Sequence, residues 1–492
     1  MTCTQSQMNI CFSLDNLPTV ILHNIGSFLN IRILVIINKR FNEFKYSLTP
    51  IPYSSTILFT DDNKSRTKQI VQCICLDELY AFKQLKSLSF DDSFTNRGRP
   101  FKKGDLPEGL RYLSFGKDFN NGGSPFKKGD LPEDLVYLSF GRNFTNGGQP
   151  IKKGDLPEGL HSLLFGTYDP ISHRYCFDKY GGPIKNGYFS EKLKYFNSSV
   201  CTIKRSCFTN GGQPIKQGDL PTGLITLIFG TDFDNGGQPI RSGDLPEGVN
   251  FLTFGRNFDN GDKPIRKGDL PEGVKCLSFG TCFTNNNEPI RKGDLPEGVK
   301  YLSFGTCFTN GKKSLKGNLP DKLKYLSFGP CFNNGNQPIK KGDLPHKLQY
   351  LSFSNSFNNG QQPIRSGDLP DELKYLCTGS TFTNGNQPIS KGDLPDSLIY
   401  LSICGGNYNS VMSGITNSFT NGNRPLNKSD LPDNIEYLSI GDTFTNGGLP
   451  LNSDLLHKLK YLSLGSSFTN GGVKIIRTEN IKTLIIGENK II

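Results

Sequence analysis

The chain has 492 residues, 35% hydrophobic and 21% charged, with 55 Gly, 30 Pro, 36 Phe, 18 Tyr and no Trp. Thirteen Cys, an odd number without paired spacing, exclude a disulfide scaffold, and a net charge of +11 interleaved with acid does not by itself imply nucleic acid. Met1-Thr2-Cys3-Thr4-Gln5 has no signal-peptide character, and the early apolar run Ile33–Ile37 is far too short to span a bilayer, so the expectation is a soluble chain in a reducing cytoplasm.

Residues 12–46 carry a helical rhythm. Leu17-Pro18 is followed by Ile21, Ile25, Phe28 and Leu29, a stripe at helical spacing, with Asn16 placed to cap and Pro18 in the first turn. After a break near Asn30, a second apolar stretch containing Leu34 leads into Asn38-Lys39-Arg40-Phe41. This predicts a small all-α domain over residues 1–50. On pattern alone it could equally be a helical cap, burying Leu17, Pro18 and Ile21 against the first repeat around Leu85 and Leu88. Residues 51–80 read as a connector, in which Ile70, Cys73, Ile74 and Leu79 predict a helix covering that repeat.

From residue 81 to 487 the chain repeats itself. Leu-Pro begins at Leu106, Leu131, Leu156, Leu220, Leu245, Leu270, Leu295, Leu319, Leu344, Leu369, Leu394 and Leu431, mostly in steps of 25, with single steps of 24, 37 and 64. With degenerate copies at Ala81, Phe189, Leu455 and Arg477, about sixteen units follow, then a short tail over 488–492. The long steps place insertions at about Gly166–Cys176, Ser198–Cys207 and Cys404–Ser418, all on one rim. The fold class is a repeat solenoid, mainly β, with one parallel strand per 25-residue rung.

Within Lys300-Tyr301-Leu302-Ser303-Phe304, Leu302 and Phe304 share one face while Tyr301 and Ser303 share the other. Leu295, Val299, Leu302, Phe304, Phe308 and Leu315 supply the apolar groups of a rung, which only stacking at about 4.8 Å can bury. The Phe residues at 258, 283, 308, 332, 357 and 382 should stack in a column. Asn260, Asn285, Asn310, Asn334, Asn359 and Asn384 should serve turn backbone groups, and Asp244, Asp269 and Asp294 should serve a second turn. Tyr301, Tyr325, Tyr350, Tyr375 and Tyr400 fall on the outward face in successive rungs, with Ser beside most of them and Lys before three. Such a surface suits binding of a protein target, and the alternative is that the rings only cover the sheet. The five His have no mutual spacing suited to metal or general-base work, and Cys282, Cys307 and Cys331 form a column without a fourth ligand. No phosphate loop is present. The expectation is a non-enzyme with no cofactor, no metal and no nucleic-acid or membrane partner. The apolar final rung (Ile481, Leu484, Ile485, Ile486, Ile491, Ile492) lacks a polar cap and could pair end to end.

Leu-Pro-x-x-Leu-x-x-Leu-x-Phe-Gly-x-x-Phe-x-Asn followed by Pro-Ile resembles the FNIP repeat, a leucine-rich-repeat relative abundant in social amoebae and their giant viruses. Here Gly-Gly-Gln or similar is inserted between Asn and Pro-Ile, lengthening the unit. Leu17-Pro18, Ile21-Leu22, Ile25, Leu29, Leu34 and Asn38-Lys39-Arg40-Phe41 resemble an F-box, although Val20 stands where an acidic residue is usual. The order of the two resembles the F-box and FNIP repeat-containing proteins. That resemblance implies a substrate receptor of an SCF-type ubiquitin ligase, in the host cytoplasm if the chain is viral. Leu17, Pro18, Ile21, Ile25, Leu29 and Leu34 would contact a Skp-type adaptor, itself held by a cullin, and the repeats would bind the target. The rival expectation is an interaction scaffold with no ubiquitin role.

Overall fold

The computed structural model describes residues 51–52, 69–73, 84–141, 143–165, 183–198, 209–353, 355–403, 419–473, 480–487 and 489–490. The adaptor-contact candidates Leu17, Pro18, Ile21, Ile25, Leu29 and Leu34 lie outside them. So do the three insertions, apart from Ser198. The chain divides into two units, one ending at Gly230 and the other running mainly from Thr231.

In the first unit the strands are β1 (Ile51–Pro52), β2 (Gln69–Cys73), β3 (Ser87–Phe90), β4 (Tyr112–Ser114), β5 (Tyr137–Phe140), β6 (Ser162–Phe165), β7 (Tyr195–Asn197) and β8 (Thr226–Ile228). Each pairs in parallel with the next, and the inward residues align as Leu88, Leu113, Leu138, Leu163, Phe196 and Leu227. Strand β2 corrects the expected helix. Gln-Ile-Val-Gln-Cys is rich in strand formers, and the open edge of β3 offers backbone groups that a strand satisfies and a helix does not.

The second unit holds β9 (Phe251–Thr253), β10 (Cys276–Ser278), β11 (Tyr301–Ser303), β12 (Tyr325–Ser327), β13 (Tyr350–Ser352), β14 (Tyr375–Thr378), β15 (Tyr400–Ile403), β16 (Tyr437–Ile440), β17 (Tyr461–Leu464), β18 (Thr483–Ile486) and β19 (Asn489–Lys490). β9 to β18 are parallel and in register, with Leu252, Leu277, Leu302, Leu326, Leu351, Leu376, Leu401, Leu438, Leu462 and Leu484 in one row. β19 turns back at Gly487 and pairs antiparallel with β18. The last strand is therefore not left as a bare parallel edge: Ile481 and Leu484 are buried, and Ile485 and Ile486 are half-buried.

Stacking supplies the core. Phe304 lies on Phe308 at 3.8 Å between ring centroids and 7°, and each ring meets its counterpart one rung away, at 5.6 Å for Phe279 and 6.2 Å for Phe283. The expected phenylalanine column is present, with 258–283, 283–308, 308–332 and 357–382 separated by 6.2 to 6.5 Å. Leu295, Val299, Leu302 and Leu315 are buried beside it. The neighbouring column, which holds Phe304, Phe328 and Phe353, breaks off at the next rung. Thr378 stands where Phe304, Phe328 and Phe353 stand in their rungs, and a small apolar cavity opens there between Leu376, Phe382 and Ile389. The Thr378 hydroxyl has no hydrogen-bond partner.

Two side-chain columns hold the turns. Asn310 has φ 54°, Gly311 φ 61° and Lys312 φ 56°, a single left-handed turn that Asn and Gly enter more readily than other residues. The Asn310 side chain accepts from Ile290 N of the preceding rung (2.9 Å) and donates to Lys313 O (3.0 Å). The same pair of bonds recurs at Asn260, Asn285, Asn334, Asn359 and Asn384. The aspartates act as expected too, with Asp294 Oδ2 accepting from Arg291 N at 2.9 Å. Gly305, by contrast, is required by packing: a Cβ there would lie 1.9 Å from the carbonyl oxygen of Gly280.

Candidate functional site

From β10 to β18 each strand of the second unit starts in the same way. The amides of Lys300 and Tyr301 both donate to Lys275 O, at 2.7 and 3.1 Å. That shared carbonyl sets the register, and the strand's twofold alternation then sends the phenols and the serine hydroxyls outward together. Tyr301, Tyr325, Tyr350, Tyr375 and Tyr400 are direct register partners, so all five expected residues are brought together.

The rings do not stand alike. Tyr301–Tyr325 centroids are 6.5 Å apart and tilted by 41°, and Tyr350–Tyr375 and Tyr375–Tyr400 are each 6.2 Å apart and similarly tilted. Tyr325 and Tyr350 instead stack at 4.1 Å and 14°. Tyr325 is buried, while the other four are half-buried. Burial pushes the Tyr325 phenol up to about 12, and a hydrogen bond with Tyr350 partly opposes this. Burial pushes Tyr350 well above the ordinary range, and raises Tyr301 and Tyr375 less. These hydroxyls stay protonated at neutral pH, as neutral donors and acceptors on rigid apolar bodies.

Two tyrosines beyond the five belong to the same row. Tyr437 pairs with Tyr400 at 6.2 Å and Tyr461 with Tyr437 at 6.3 Å. The signal for them is the repeated Tyr-Leu-Ser, interrupted by the 37-residue step. Ser278, Ser303, Ser327 and Ser352 are half-buried beside the row, whereas Ser402 and Ser439 are buried. The small polar side chains of this face are thus half-buried from Thr253 of β9 to Ser352 of β13 and again at Ser463 of β17, and the buried Cys377 takes the serine position in β14. Along its edge Lys275, Lys300 and Lys374 are exposed and Lys324 half-buried, a basic margin to the aromatic band.

The rim is charged in both signs, and much of it is paired. Arg266 bridges Glu288 and, at 3.1 Å, Asp294; Lys292 meets Asp321 at 3.0 Å. The Asp269 carboxyl is raised by burial, opposed by the backbone amide of Arg266. Among the described residues no group of three or more His, Cys, Asp or Glu is gathered in a way that could hold a metal ion. No helix there is long and apolar enough to cross a membrane.

The arrangement is similar to that of known repeat proteins. The crystal structure of CroV588, described as a novel circular LRR protein structure, is 27% identical over 89% of this chain and 68% of that one, with a TM-score of 0.54. YopM from Yersinia enterocolitica is 19% identical over 86% of this chain and 77% of its own, with a TM-score of 0.44. No curated protein matches the chain in sequence. The FNIP Repeat family model matches residues 237–282, 260–307, 286–331 and 336–377. The chain is thus a leucine-rich-repeat-like protein with parallel strands, and it carries FNIP repeats between residues 237 and 377.

Proposed function

We propose that the chain is a non-catalytic substrate receptor of an SCF-type ubiquitin ligase. Residues 1–50 dock a Skp-type adaptor, itself held by a cullin, and the sheet face of the second unit binds the target in the cytoplasm. The observation that supports target binding is the in-register band of tyrosines and serines, most of them half-buried, with a lysine margin. It offers large rigid contact area at low entropic cost and favours an acidic partner. Repeat proteins of this kind are suited to binding other proteins. The adaptor half of the proposal rests on the F-box resemblance, with Leu17, Pro18, Ile21, Ile25, Leu29 and Leu34 as contacts. The pairing of β2 with β3 supports it indirectly, because that edge finds backbone partners without residues 1–50. The receptor would contribute proximity alone, raising the target's local concentration near an activated thioester.

Co-purification with the adaptor tests the first half. The tagged wild-type chain is expected to retain it, and a folded Leu17→Asp, Ile21→Asp double variant to lose it. Failure of the wild type to retain the adaptor would leave a binding scaffold without a ubiquitin role. For the second half, proteins retained by the wild type are expected to bind a Tyr301→Ser, Tyr375→Ser variant at least roughly tenfold more weakly. Unchanged retention would assign the tyrosines to covering the sheet.

A further inference from the structure

One rim position of the repeat, just before the second phenylalanine, is occupied in turn by Asp118 and Asn143 in the first unit. In the second unit it holds Asp232, Asn257, Cys282, Cys307 and Cys331. Side chains at successive places in this row touch. Asn143 donates to Asp118 at 2.9 Å, Asn257 to Asp232 at 2.8 Å, and the Cys282 sulfur lies 4.0 Å from Asn257 Oδ1. Cys307 and Cys331 continue the row, tied to the preceding rungs through Cys307 N to Thr281 O (2.9 Å) and Cys331 N to Thr306 O (3.1 Å). Stacked rungs place their Cα atoms about 4.8 Å apart, inside the range of about 4.4–6.8 Å that a disulfide spans.

We infer that Cys307 and Cys331 form an oxidant-sensitive dithiol that closes a disulfide between neighbouring rungs, with peroxide as the oxidant. Cys331 is exposed and reacts first. Its thiolate sulfur attacks one peroxide oxygen, the O–O bond breaks, and a sulfenic acid and hydroxide result. The Cys307 thiolate then attacks that sulfur, the S–S bond forms and the S–O bond breaks, releasing a second hydroxide. The protons of the two thiols convert both hydroxides to water, so peroxide takes up the two electrons that the thiols lose. Cys282 is half-buried, and burial together with the neighbouring Cys307 raises its thiol, leaving it the slower partner. Cys276, pushed up to about 12 by burial, and Cys377, also buried, lie outside the row. Because Cys307 sits between the other two, any bridge in this row must include it or reach past it.

The test uses the full reduced chain, exposed to hydrogen peroxide while folded, followed by peptide mapping without reductant. The expected product is a Cys307–Cys331 cross-linked peptide lacking two hydrogen atoms, reversible by dithiothreitol, with two free thiols lost per chain. In Cys307→Ser that peptide is absent and Cys331 proceeds to sulfinic acid. Sulfinic acid at Cys331 in the wild type, with no bridged peptide, would overturn the proposal. So would bridging that appears only in the urea-unfolded chain, scattered over other cysteine pairs.

Discussion

Gly280→Ala is expected to disrupt the rungs around β10 and to cost roughly 4 kcal/mol or more, at the top of the range for a single substitution. A Cβ at Gly280 would lie 1.7 Å from the carbonyl oxygen of Gly255 and 2.4 Å from its carbon. No rotamer relieves this, because the obstacle is the backbone of the preceding rung. The two rungs must separate, and Phe254–Phe279 and Phe258–Phe283 separate with them. Gly268→Ala is the control. Its φ of 87° is uncomfortable for alanine, but nothing lies within 4 Å of the added carbon, so about 1–2 kcal/mol is expected. Hydrogen exchange resolves where the damage falls, since each rung depends chiefly on its neighbours. Protection should collapse over residues 251–283 in Gly280→Ala and persist at β16 and β17. Equal melting curves for the two variants would refute the argument from packing.

Asn310→Ala is expected to cost about 3–5 kcal/mol, by a different route. The fully buried amide joins two rungs, accepting from Ile290 N and donating to Lys313 O and, at 3.3 Å, Ser314 O. Alanine leaves a buried N–H without its acceptor, at about 1–3 kcal/mol, and strands carbonyls besides. It must also adopt a φ of 54°, worth about 1–2 kcal/mol more. Asn310→Gly separates the two parts: it accommodates the backbone and so should recover only the smaller share. Urea denaturation of the three proteins gives the order, with wild type most stable, then the glycine variant, then alanine. A glycine variant as stable as wild type would mean that the buried hydrogen bonds contribute nothing.

The asparagine and the glycine that closes each strand are visible in the sequence, but for incomplete reasons. Asn310 recurs as a column, and an Asn before Gly already suggests a turn. Its reach back to the amide of Ile290, twenty residues earlier, is a product of stacking. Gly305 reads as the end of a strand, yet it is kept free of a side chain by the carbonyl of Gly280. Tyr325 shows the same limit within the candidate site. It stands in Lys-Tyr-Leu-Ser just as Tyr301 does, but it buries itself against Tyr350 while Tyr301 remains half-buried.

By itself the sequence determined the period, the strand in each rung and the face on which each side chain lies. These follow from turn residues at fixed intervals and from the twofold alternation of a strand, both local properties of the chain. It also placed the tyrosines, phenylalanines, asparagines and cysteines in columns, because a constant repeat length brings equal positions into register. Only the tertiary structure decided what meets across a rung boundary. It turned the expected helix at residue 70 into a strand that serves the edge of β3, and it left a cavity where Thr378 interrupts the phenylalanines. It also brought the rim side chains into contact along their row. Those outcomes depend on backbone approach and side-chain volume where one rung meets the next, which no local pattern encodes.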